Sequence, residues 1–292
     1  MGGVLVVGDL HCDLWEKAGR GHPLKGHYLE HLDAVIIAGD LCDNALEHAP
    51  RFLEPIRSAM RPDARLMIIP GNHESYHNRL DHLNRLQGVV EAVGCEWVQR
   101  QEIELKGHRL LMCTLWAGYF GASYSSKLQC RYEMRDFHDV RIKIIRAEDD
   151  ERIPDEEHGV VYQAEIADYA RLHAEDLAWL TERLESPSDL PTLVITHHAP
   201  TERILPLHLA NDPLKYAYAN RLDDLIERTQ PQAWLFGHVH SQAETEIGQT
   251  VVRNISLGYP WQVQERRWRL RWNEVDLDAG DYRMPTRPDD QS

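Results

Sequence analysis

The chain has 292 residues, 42% hydrophobic and 27% charged, which excludes wholesale disorder, collagen-like sequence and a disulfide-dependent scaffold. Its 47 acidic residues outweigh 32 basic ones for a formal charge of −15, so the surface as a whole repels phosphate backbones and anionic membranes. This speaks against nucleic acid as a partner and leaves any anionic substrate to be drawn by something local. No apolar stretch reaches the roughly 18 residues that a membrane span needs.

In chain order, the first apolar run, Val4 to Val7, meets Asp9 almost at once and has no basic leader, so it reads as a strand and not as an export signal. Five cysteines, Cys12, Cys42, Cys95, Cys113 and Cys130, form no C-x-x-C pair and mostly lie in or beside apolar runs. That usage suits reduced thiols, and a cytoplasmic location is expected. A second short run, Ala34 to Ala38, precedes a helical segment from Ala45 to Met60; a third, Leu66 to Ile69, precedes another from Arg79 to Val93. Glu96 to Leu115 reads as a meander turning at Lys106-Gly107.

Residues 116–158 have no clear period and are long for a plain connection. They hold Tyr119, Phe120, Tyr124, Tyr132 and Phe137 among basic residues, which fits either a lid that stacks a base or an amphipathic cover whose aromatics are core. Val160 to Glu185 reads as a long helix. Runs Leu193 to Ile195 and Ala233 to Phe236 follow, then a meander from Gln242 to Ser256 turning at Gly248. Strands alternating with helices indicate a layered α/β fold, a single domain over 1–276, with 116–158 as a lid or insertion. Residues 277–292 are polar and Pro-containing and are expected to form a disordered tail.

The chemistry lies at the ends of the five short apolar runs. They end in Asp9 and His11, in Asp40, in Asn72 and His73, in His197 and His198, and in His238 and His240. In α/β sheets, sites form beyond the carboxyl ends of strands, so these residues are expected to meet along one edge. A lone Gly-Asp after a strand is commonly an ordinary turn, and a lone histidine commonly a hydrogen-bonded loop residue. Five such ends together are not explained that way. Carboxylates, imidazoles and an amide without thiolates suit borderline metals such as Mn, Fe, Co, Ni or Zn.

The blocks Gly8-Asp9-Leu10-His11, Gly39-Asp40, Gly71-Asn72-His73-Glu74, His197-His198 and Gly237-His238-Val239-His240 resemble the signature of the calcineurin-like metallophosphoesterases, in the expected order over residues 8 to 240. The resemblance implies a four-layer α/β/β/α sandwich with mixed sheets and two divalent metal ions. It implies that Asp9, His11 and His240 hold one ion, that Asn72, His197 and His238 hold the other, and that Asp40 bridges them. His73 would be the general acid. Glu74 stands where the family often has Asp, and His198 is an alternative to His197 as ligand.

Two divalent ions close together need a shared anion, and Asp40 with a bridging hydroxide would supply it; the remaining positive well would capture phosphate inside an acidic protein. Such a site lowers the pKa of water to about 7, so no protein nucleophile is required. Hydrolysis of a small phosphate ester, a monoester or diester and possibly a nucleotide, is the expected activity. The rival is an inert scaffold or binding module on the same fold, which would be expected to have lost ligands or the acid. His138-Asp139 imitates another metal-hydrolase dipeptide without its partners, and His27 and His31, four apart, lack the rest of H-E-x-x-H. Trp261, Trp268 and Trp272 read as packing, and Asn254 to Pro260 as a loop near the site.

Overall fold

Short runs of β-branched and bulky residues with no polar alternation, each bounded by turn residues, suit strands buried on both faces, and the computed structural model, which describes residues 2–144, 160–264, 269–271 and 273–283, forms them as such. The strands are β1 (Val4–Val7), β2 (Ala34–Ala38), β3 (Arg65–Ile69), β4 (Glu96–Trp97), β5 (Gln101–Leu105), β6 (His108–Cys113), β7 (Arg141–Ile144), β8 (Val160–Gln163), β9 (Thr192–Thr196), β10 (Ala233–Phe236), β11 (Glu244–Ile247), β12 (Thr250–Asn254) and β13 (Glu274–Val275). The helices are α1 (Cys12–Lys17), α2 (Ala45–Ala59), α3 (Leu83–Glu91), α4 (Tyr124–Glu133), α5 (Asp136–Asp139), α6 (Ile166–Glu185), α7 (Leu207–Ala210), α8 (Lys215–Tyr218) and α9 (Asp223–Thr229).

One sheet runs β13-β1-β2-β3-β4 and the other β11-β12-β10-β9-β6-β5, each with a parallel centre. Strand periodicity then divides the cores. From β1 and β2, Leu5, Val7, Val35 and Ile37 pack with Leu53, Ile56, Leu86 and Val90 of the helices α2 and α3. The alternate residues Val4, Val6, Ala34 and Ile36 pack with Leu193, Ile195, Ala233 and Leu235 of the facing sheet. The opposite faces of β9 and β10, through Val194, Trp234 and Phe236, meet Leu180, Leu225 and Ile226 of α6 and α9. Helix, sheet, sheet, helix is the resulting order. No described helix is long and apolar enough to cross a membrane, and all five cysteines are buried and free.

The helix expected over Arg79 to Val93 is shorter, Leu83–Glu91, and two further boundaries differ from the sequence reading. The helix expected from Val160 begins at Ile166, where Glu165 and Asp168 form a capping box; Val160–Gln163, β-branched and aromatic, pairs with β7 instead. Leu277 and Tyr282, assigned to the tail, are buried, and Tyr282 Oη lies 2.8 Å from His108 Nε2. The ordered body therefore extends past 276, because two apolar groups in a polar stretch find the edge of the intersheet core; residues 284–292 lie outside the described residues.

The described part of 116–158 is residues 116–144. It folds as a cap, with helices of 10 and 4 residues too short to show a period. Its own small core joins Trp116, Tyr119, Phe137 and Val140 to Tyr76 and Tyr169. Residues 145–158 lie outside the described residues.

Candidate metal centre

Parallel pairing sets the carboxyl ends of β1, β2 and β3 along one edge and those of β9 and β10 along the facing edge, and a bridge between Gly8 and Ser256 joins the two sheets there. The chain turns sharply as it leaves these strands. Asp9, His11, Asp40 and His238 have φ of 58°, 41°, 59° and 66°, a left-handed region that costs a side-chain-bearing residue roughly 1–3 kcal/mol. The strain is held by hydrogen bonds: the Asp9 carboxylate accepts from the His238 N–H at 2.8 Å and from Ser256 Oγ at 2.6 Å. Glu74 accepts from the backbone N–H of Gly71, Asp40 and Leu41 at 2.5, 3.0 and 2.6 Å. Its carboxylate thus ties together the loops carrying Asp40 and Asn72, which explains a long acid at that position.

The donor atoms converge in two overlapping groups. Those of Asp9, His11, Asp40 and His240 lie within 4.8 Å of one another, as do those of Asp40, His197 and His238. Asp40 belongs to both. His240 Nε2 stands 3.0 Å from Asp9 Oδ1 and 3.1 Å from His11 Nε2. His197 Nε2 stands 3.0 Å from Asn72 Oδ1 and 3.4 Å from Asp40 Oδ1. Outer partners fix the rings: His197 Nδ1 donates to the Ala38 carbonyl at 2.8 Å, His240 Nδ1 to Gln262 Oε1 at 3.0 Å, and His238 Nε2 to the Ala217 carbonyl at 3.3 Å. Each leaves its other nitrogen with a lone pair, as metal-binding histidines do. His198 is in neither group; its ring packs 4.2 Å from that of His238.

The electrostatics fit cations. Burial pushes the His11 and His238 imidazoles well down and His197 to about 4, so all three are neutral donors at neutral pH. Burial, with the Asp9 and Glu74 charges behind it, pushes the Asp40 carboxyl well up. Burial acts the same way on Asp9, but the close contact with His240 outweighs it and holds that carboxyl below its usual range. Among the described residues no Lys or Arg pairs with Asp9 or Asp40, whose ion-pair partners are all imidazoles. That donor set suits a pair of divalent ions.

His73 sits beside the groups. Its backbone N–H donates to Asp40 Oδ1 at 2.9 Å, its Nδ1 lies 2.6 Å from Asp43 Oδ1, and its Nε2 is 3.8 Å from Asp40 Oδ2. The site opens into a cleft of about 400 Å³. Asp40, Asn72, His73, His238 and His240 line its floor, and Met134 and Arg135 from the cap, Leu209 of α7, Tyr218 of α8, and Tyr259 form walls.

Sequence reasoning missed several of these residues. Asp43 had a signal, a second aspartate three positions past Asp40. Ser256 and Tyr259 fall in the stretch expected near the site, and the Tyr259 ring lies 4.5 Å from that of His11 and 4.4 Å from that of His240. Gln262 and Tyr76 had no signal. Of the five aromatics after Trp116, Tyr119 and Phe137 are core and Phe120, Tyr124 and Tyr132 are exposed; none lines the cleft. Trp261 stacks on Tyr259 at 4.8 Å, whereas Trp268 and Trp272 lie outside the described residues. His138 bonds the Tyr132 carbonyl, and His27 pairs with Glu274; neither joins the site.

The sequence matches the calcineurin-like phosphoesterase family over residues 3–242. No curated protein matches the chain. Among solved structures, the phosphopantetheinyl hydrolase of Mycobacterium tuberculosis is similar at a TM-score of 0.64 and 17% identity, covering 95% of this chain and 96% of that one. A putative 5'-nucleotidase from Staphylococcus aureus, solved with alpha-ketoglutarate, gives a TM-score of 0.43 at 12% identity, over 86% of this chain and 48% of that one.

Proposed function

The chain belongs to the calcineurin-like phosphoesterase family, a family of phosphoric ester hydrolases, and from that membership we propose that it cleaves a small soluble phosphate ester, a nucleotide among the candidates, at a centre for two divalent ions. The observation that carries this reading is the sharing of Asp40 between two converging donor groups. Asp9, His11 and His240 would hold one ion, Asn72, His197 and His238 the other, with Asp40 between them. When bound, such ions supply Lewis acidity toward water and toward the phosphoryl oxygens.

The chain's own residues do the rest. Hydrolysis transfers a water oxygen to phosphorus and breaks the ester P–O bond, so the departing oxygen needs a proton. His73 Nε2 faces the cleft beside Asp40, in position to give one. Asp43 receives the Nδ1 proton of the same ring, which keeps Nε2 as the exchanging nitrogen. Burial alone would push the Asp43 carboxyl up, but His73 and Arg135 outweigh it and hold it low, so it stays an anion suited to that task. Leu209, Met134, Tyr218 and Tyr259 give the cleft an apolar side for the organic part of the ester.

The test is hydrolysis of a chromogenic monoester and a chromogenic diester after chelation and again after adding Mn(II). Activity that returns with metal on either ester is the expected result, and the ratio between the two narrows the substrate. Silence on both by a protein shown to bind metal would favour the inert scaffold.

A further inference from the structure

Arg135, in the turn between α4 and α5, lines the cleft, and Asp136, the first residue of α5, is buried beside it. Arg135 Nη2 lies 3.3 Å from Asp43 Oδ2, and its Nε donates to Asp139 Oδ2 at 2.8 Å. Its guanidinium also sits 4.6 Å over the ring of Tyr76, which packs 4.3 Å from the ring of His73. Two routes, one through Asp43 and one through Tyr76, thus lead from Arg135 to His73.

Asp136 leads elsewhere. It is buried, its backbone carbonyl accepts from Tyr169 Oη of α6 at 3.0 Å, and its Oδ2 accepts from Tyr76 Oη at 2.9 Å. Asn72 Nδ2 donates to that hydroxyl at 2.8 Å and lies 3.4 Å from the Asp136 carboxylate itself. An amide has one donor end and one acceptor end. Turned over, Asn72 would set its carbonyl oxygen against a carboxylate; as placed, Oδ1 faces His197.

We infer that Arg135 and Asp136 are positioning residues that divide one task. Asp136, through Tyr76, holds the Asn72 oxygen toward the ion site, and Arg135, through Asp43, holds the His73 ring toward the leaving group. Two neighbours on the cap thereby orient two neighbours at the end of β3, and a segment outside the five sequence blocks becomes part of the centre. The inference rests on the metal-centre reading above.

The test separates the two roles with two readouts on the full chain. One is Mn(II) titration of chelator-stripped protein by calorimetry. The other is the dependence of kcat on leaving-group pKa across a series of aryl phosphate esters. Outer partners of metal ligands are worth about 10- to 100-fold in affinity, so D136N and Y76F should weaken one of the two Mn(II) ions by that much while the leaving-group slope stays that of the native protein.

R135A should do the reverse, steepening the slope so that poor leaving groups lose about tenfold more than good ones, with Mn(II) binding unchanged. R135K, which keeps charge but not the fork, should recover part of the slope, and it replaces R135A if that variant does not fold. If the variants move both readouts together, the cap is merely loosened and the division is wrong; no movement in either overturns it equally. A native protein that binds no Mn(II) and cleaves no ester sinks the metal-centre reading itself. A native protein that does both beside variants without this pattern sinks only the division.

Discussion

The floor of the cleft and its cap are made in opposite ways. On the floor, parallel strands with both faces buried deliver Asp9, Asp40, Asn72, His197 and His238 from their ends. Position there is set by backbone register, and the side chains have short reach and little freedom. The cap has two short helices, a small aromatic core and side-chain hydrogen bonds joining Arg135 and Asp136 to Asp43 and Tyr76. Changes should therefore be felt differently: on the floor an atom added beside the donors should displace one of them, while on the cap the loss of one polar group should change one function.

The sharpest way to break that comparison is Gly71→Ala. A methyl at Gly71 would overlap the Asp40 carboxylate and stand 2.6 Å from His197 Cε1 and 2.7 Å from His197 Nε2, both groups of the shared donor set. One of them must move by the order of an ångström, and misplacement on that scale costs at least about 10²-fold in rate. The expected outcome is loss of stoichiometric Mn(II) by elemental analysis together with loss of ester hydrolysis, in a protein whose far-ultraviolet circular dichroism is native. Full metal and full activity would show the floor to be softer than register implies.

Between floor and cap stands His73, fixed to the floor by its backbone and to Asp43 by its ring. His73→Ala should keep metal and lose about 10²- to 10⁴-fold in rate, the range of general acid catalysis, most with poor leaving groups. Equal losses for good and poor leaving groups would remove it from the acid role and leave it as packing for Asp40.

The same contrast explains what was legible. Strand ends are written in the sequence because an apolar run must stop somewhere, and the residue type at the stop is visible without knowing the fold. The same runs gave a layered α/β fold, while the α/β/β/α order came only with the family resemblance. Asp43 was within reach of that logic, since three residues past Asp40 keeps it in the same turn. Gln262, Tyr76 and Asp136 were not. Gln262 and Asp136 act through contacts made across a long sequence separation, and Tyr76 depends on one, its bond to Asp136 sixty residues on. Tyr282 and Leu277 were hidden for the reverse reason, two apolar side chains diluted by Asp and Gly, whose burial depends on a groove that only the assembled sheets create.

The smallest expected effect is at the joint of the two regions. As β6 runs into the cap, the Leu115 N–H donates to Asp176 Oδ2 at 2.9 Å, and Gln99 Nε2 donates to its Oδ1 at 3.0 Å. Burial raises this carboxyl to about 7, against the opposing pull of Arg100. An unfolded chain would release the same proton near pH 4, so between those values the folded state holds a proton that the unfolded state lacks. The stability this contributes is complete below about pH 4 and is lost as pH rises through 7.

Asp176→Asn removes the titration and keeps one acceptor for Leu115. Relative to the native protein, the variant should therefore gain, on the order of 2 kcal/mol, in urea unfolding between pH 5 and pH 8. A difference that stays constant with pH would mean that Asp176 is ionised in the fold. The cap would then be anchored by its ion pair with Arg100, 3.8 Å away, and not by a neutral acid.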